Sequence, residues 1–125
     1  MRVSINPDGL PAVNSTYSQA IQAGGFVFVS GQTGINPATG RLVSDDIAEQ
    51  AAQALENMAA ILRAAGSSLE KVVSVNIYLT EYHALSRVNL VYGAYFRQNG
   101  PAKVSCGVTE LYGGAKFEIQ VIALA

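Results

Sequence analysis

Phe117-Glu118-Ile119-Gln120-Val121-Ile122-Ala123-Leu124 reads as a strand with work for both of its faces. Side chains alternate across a strand, so Phe117, Ile119, Val121 and Ala123 share one face and Glu118, Gln120, Ile122 and Leu124 the other. The first set is wholly apolar and calls for a covering layer. The second sets Ile122 and Leu124 beside a carboxylate and an amide, the pattern of an apolar surface with a polar edge.

Working outward from this segment, Val104 through Leu111 supplies a second strand, separated from it by Tyr112-Gly113-Gly114. Leu69 through Thr80 supplies a third, with Val73, Val75, Ile77 and Leu79 on one face and Val72, Ser74, Asn76 and Tyr78 on the other. Phe26-Val27-Phe28-Val29-Ser30-Gly31 is rich in aromatic and β-branched residues and reads as a central strand, entered from an earlier extended segment through Gly24-Gly25. The covering layer comes from two helical patterns. Ile47, Ala51, Leu55, Met58, Leu62 and Ala65 recur at intervals of three and four, after a cap at Ser44, Asp45 or Asp46 and before an exit at Gly66. A shorter helix is expected over about Ala84 to Gln98, with Leu85, Val88, Tyr92 and Tyr95 or Phe96 facing inward and Asn99-Gly100-Pro101 ending it. Asn6 to Pro11 and Asn36 to Gly40 read as turns. This order predicts one α/β domain over residues 1–125, a mixed β-sheet packed in two layers against two helices.

Composition narrows the function. With half of its 125 residues apolar, the chain is not of the disordered class, and eight Lys plus Arg against nine Asp plus Glu leave no basic field for a nucleic-acid backbone. Charged residues are only 14% of the chain, below the proportion expected on a soluble monomer, so part of its apolar surface is expected to be covered by another subunit. One cysteine and one histidine exclude a disulfide framework and a Cys/His zinc site. No segment resembles a signal peptide or approaches a membrane-spanning length, so a cytoplasmic protein with no membrane partner is expected.

Few residues carry chemistry. Ser30-Gly31-Gln32-Thr33-Gly34 follows a strand and is either a simple turn or a place where backbone N–H groups meet an anion. His83 is read as a solvent-facing residue near a helix start in preference to a general base, and Cys106 as a buried thiol in preference to a reactive one. Glu118 is the informative carboxylate because it interrupts an apolar strand; it can exchange a proton with water or substrate, or form an interfacial ion pair. Lys103 can be its partner, or can attract a substrate carboxylate.

Tyr17-Ser18-Gln19-Ala20, Phe28-Val29-Ser30-Gly31-Gln32, Ala65-Gly66-Ser67-Ser68-Leu69, Val88-Asn89 with Tyr92, Pro101-Ala102-Lys103, and Glu118-Ile119-Gln120 with Ile122-Ala123 together resemble the reactive intermediate deaminase family, also called Rid or YjgF-like. The resemblance implies a chorismate-mutase-like fold and a homotrimer with ligand clefts between subunits. It implies hydrolysis of small carboxylate-bearing enamines or imines to oxo acids and ammonia, without metal or organic cofactor. It makes Glu118 and Lys103 the catalytic candidates and Tyr17, Ser30, Gly31, Asn89, Lys103 and Ser105 the substrate-binding ones.

The sequence departs from the family pattern at two of these places and at one more on the pocket edge. Lys103 stands where deaminase-active members carry arginine, and lysine keeps the charge but lacks the planar, bidentate fork. Ser105 stands at a Cys or Thr position, and Tyr112 at a proline position on the pocket edge. Three function classes follow: an atypical enamine or imine deaminase, a non-catalytic protein that binds small carboxylates, and, disfavoured by the charge, a nucleic-acid-related activity.

Overall fold

In the computed structural model, which describes residues 1–8 and 16–125, the terminal segment forms strand β8 (Phe117–Leu124) in the interior of a sheet. One neighbour is β3 (Phe26–Thr33), beyond which lie β2 (Ala20–Ala23) and β1 (Val3–Ile5). The other is β6 (Val72–Leu79), beyond which β7 (Ala102–Gly107) forms the far edge. Strands β6 and β7 run parallel and every other pairing in this sheet is antiparallel, so the sheet is mixed as expected. Two short strands, β4 (Ile35–Asn36) and β5 (Arg41–Leu42), form a separate hairpin turned by Gly40, whose φ is 74°. Residues 9–11 of the first expected turn lie outside the described residues.

Helices α1 (Ile47–Ala64) and α2 (Leu85–Tyr95) provide the covering layer. Asp46 is the cap: its carboxylate accepts from the Glu49 N–H at 3.0 Å, and Arg87 Nη2 reaches the same side chain at 2.9 Å. Ile47, Ala51, Leu55, Met58 and Leu62 of α1 are buried against Val27, Val29, Val75, Ile77, Leu79, Phe117, Ile119, Val121 and Ala123. The buried face of β8 is the one its alternation indicates. The opposite face carries Phe26 and Phe28, paired in register with Leu124 and Ile122. Phe26, Phe28 and Leu124 are all exposed.

The chorismate-mutase-like description is corrected by the sheet itself. Among the described residues it has six strands in the order β1-β2-β3-β8-β6-β7, because the Gly24-Gly25 turn folds β2 back on β3 and β1 then adds to β2. Local expectations change as well. Leu69–Lys71 is a 3₁₀ turn, and a bulge between Val72 and Ser74 buries Val72 and exposes Val73, reversing their expected faces. Strand β7 stops at Gly107, because β6 ends at Leu79, where the Val108 N–H closes the ladder on the Leu79 carbonyl. Helix α2 starts after a 3₁₀ turn at Tyr82–Ala84 and ends at Tyr95, short of Gln98. Cys106 is exposed, not buried, because it lies on an edge strand and shares the helix-free face with its register partner Tyr78.

Candidate active site

The candidate residues gather in two clusters. The first forms at an irregularity in β3. Val29 pairs with Val121 and Gln32 with Ile119, so β3 carries one residue more than β8 between these pairs, and Ser30-Gly31 bulges. The bulge is tied to the preceding segment. Ser30 Oγ donates to the Ser18 carbonyl at 2.6 Å, the Ser30 N–H to the Gln19 carbonyl at 2.9 Å, and Gln32 Nε2 to Gln19 Oε1 at 2.8 Å. Tyr17, next to Ser18, is 51% exposed.

Glu118 extends over this bulge. A β-carbon built on Gly31 would stand 2.8 Å from Glu118 Cδ and would collide with Oε2, so the carboxylate takes the room the glycine leaves. Glu118 is half-buried, with Thr33 and Tyr78 as its register partners, and burial holds its carboxyl above the ordinary value of 4.5.

The second cluster lies on the helix-bearing side. Lys103 is in register with the buried Val75, and Ser105 with the buried Ile77, which sets both on the face covered by helices. There Lys103 Nζ donates to Asn89 Oδ1 at 2.8 Å and lies 4.1 Å from the centre of the Tyr92 ring. Loss of solvent pushes the Lys103 ammonium below its ordinary value. Asn89 and Tyr92 are three apart on α2 and so reach the same lysine.

The structure therefore brings Ser30, Gly31 and Glu118 together, and Lys103 with Asn89, but sets Lys103 and Glu118 on opposite faces of the sheet. Among the described residues the ion pairs are Arg87 with Asp46 and Lys116 with Asp45 and Glu81; Lys103 and Glu118 do not pair. His83 is exposed in the turn before α2, as expected. Among the described residues no three His, Cys, Asp or Glu side chains form a metal-binding group. Sequence reasoning placed Tyr92 in the core and missed its contact with Lys103; its spacing from Asn89 was the available signal.

The family model described as Endoribonuclease L-PSP matches residues 9–125. A RutC family protein of Pyrococcus horikoshii is 42% identical over 98% of each chain. The chain belongs to the Rid/YjgF family. Another relative, the 2-iminobutanoate/2-iminopropanoate deaminase of Homo sapiens, is 39% identical over 91% of this chain and 83% of its own. The solved Rid family protein YyfA of Yersinia pestis superimposes with a TM-score of 0.97 at 39% identity, covering 100% of both chains. That match makes the six-stranded sheet with two helices the Rid fold, not the chorismate-mutase fold. No described helix is long and apolar enough to cross a membrane.

Proposed function

We propose that this Rid protein hydrolyses a small carboxylate-bearing imine or enamine to its oxo acid and ammonia. The observation that carries the reading is the half-buried Glu118 carboxylate seated over the Gly31 bulge, in a chain 39% identical to a human imine deaminase. An enamine first takes a proton at carbon, and an imine takes one at nitrogen, to give the same iminium ion. Water then adds to the imine carbon, Glu118 accepting a proton from the water as the C–O bond forms. The nitrogen gains a proton, the C–N bond breaks, ammonia leaves, and the remaining hydroxyl loses its proton to give the carbonyl. The Gly31 backbone and Ser30 line the substrate, with Tyr17, Asn89 and Ser105 at its margins. Lys103 draws in the substrate carboxylate as a point charge where a guanidinium would grip it twice, so turnover is weak.

Copies associate as a homotrimer through the sheet face bearing Phe28, Ile122 and Leu124, with the clefts between neighbours. The separation of Lys103 from Glu118 supports this, since a neighbour can complete a cleft that one sheet divides. Phe28 and Leu124 are exposed on that face in the single chain.

The test is initial ammonia release from freshly generated 2-aminoacrylate and from an acidic dienamine, each measured against uncatalysed decay. The protein exceeds the blank, Glu118→Gln depresses the rate with assembly intact, and Lys103→Arg raises it on 2-aminoacrylate. A protein that never exceeds the blank, with Lys103→Arg restoring nothing, is instead a non-catalytic small-carboxylate binder.

A further inference from the structure

We infer that Asn89 and Tyr92 are positioning residues that hold the Lys103 ammonium for the ligand carboxylate, Tyr92 acting through its ring and not its hydroxyl. This rests on the reading of Lys103 as the carboxylate-binding charge. It changes the part given to Asn89, whose side-chain oxygen is occupied by Lys103 instead of being free for substrate.

A lysine on an edge strand has four rotatable carbons and no fork to fix its direction, so its charge is well placed only if something else restrains it. Two groups on α2 do so. Asn89 Oδ1 accepts one ammonium N–H at 2.8 Å, and the negative face of the Tyr92 ring lies 4.1 Å from Nζ, well inside cation–π range. An ammonium has three N–H donors, so one hydrogen bond and one ring contact leave donors for a ligand carboxylate. The ring is itself held: Tyr92 is 9% exposed and stacks on Phe96 with centroids 4.5 Å apart and planes at 26°. The Tyr92 hydroxyl is buried and has no hydrogen-bond partner among the described residues. A buried hydroxyl without a partner costs stability, so it is the aromatic surface that this position uses.

Two measurements test the inference, neither needing turnover. In the ¹H–¹³C spectrum of the intact protein, the Lys103 ε-methylene is shifted upfield by the Tyr92 ring current; the shift survives Tyr92→Phe and is lost in Tyr92→Leu. Calorimetry with pyruvate gives parental affinity for Tyr92→Phe, and an affinity about three- to tenfold weaker for Tyr92→Leu and for Asn89→Leu. Asn89 is exposed, so its variant keeps the test decisive even if Tyr92→Leu does not fold. A parent without the upfield shift overturns the inference, as does a Tyr92→Phe protein that loses as much pyruvate affinity as Asn89→Leu. A parent that shows the shift but binds no pyruvate overturns the carboxylate reading of Lys103 and the positioning role together. Absence of ammonia release with both measurements as expected removes only the deaminase reading.

Discussion

The carboxylate of Glu118 occupies the space that a β-carbon on residue 31 would need. Gly31 does not have the left-handed backbone that favours glycine, so the requirement is for room and not for conformational freedom. Alanine at 31 can keep the strand but must displace the Glu118 side chain. Gly31→Ala is expected to leave the circular dichroism spectrum and assembly unchanged while lowering ammonia release about tenfold or more, since small errors of placement are costly in rate. Parental turnover in that variant separates Gly31 from Glu118 function.

Burial raises the Glu118 pKa, and the sign of two pH effects follows. In its proposed role as proton acceptor Glu118 works when ionised, so the acid limb of the rate profile is expected above the ordinary carboxylate value of 4.5 and is expected to disappear in Glu118→Gln. In stability the raised pKa favours the protonated fold; that contribution is present below the unfolded value and is lost as pH rises through the folded one. The melting temperature of Glu118→Gln relative to the parent is therefore higher at neutral pH than at pH 4. Equal differences at both pH values would show that the Glu118 site imposes no cost on its charge.

Phe28 pairs in register with Ile122 on the sheet face that carries no helix. Sedimentation equilibrium of the parent is expected to give three times the chain mass, and Phe28→Glu to give a smaller, concentration-dependent mass, because a carboxylate buried among apolar side chains loses its hydration. A parent that sediments as a monomer at all concentrations contradicts the proposed trimer.

Phe117 is 0% exposed beneath the helices and Leu90 is 80% exposed on α2. Phe117→Ala is expected to cost about 3–5 kcal/mol in urea unfolding, through lost burial and the cavity left behind. Leu90→Ala should stay within about 0.5 kcal/mol. Similar losses for both would mean that burial does not rank these positions.

Alternation in Phe117–Leu124 and the three- and four-residue spacing from Ile47 to Leu62 were sufficient to identify β8, α1 and the faces they bury, because both patterns arise within one element. The turn at Gly40 and the exit at Gly66 were legible for the same reason. Their positive φ values, 74° and 78°, belong to the local chain. The set of motifs running from Tyr17 to Ala123 was enough to recognise the family, and Glu118 stood out as a carboxylate in an apolar strand.

What the tertiary structure decided are relations between elements. The bulges at Val72/Ser74 and at Ser30-Gly31 exist only against the register of β8, so neither the reversal of Val72 and Val73 nor the seat of Glu118 over Gly31 could be read from one segment. Cys106 is exposed because its register with Tyr78 turns it to the helix-free face of an edge strand, a property of strand order and register and not of the residues around the thiol. Lys103 bonds Asn89 in place of Glu118 because the parallel pairing of β7 with β6 turns it toward α2, while β8 turns Glu118 to the other face. A side chain's partner depends on which strand lies alongside and in what register, and that is settled when distant segments pack.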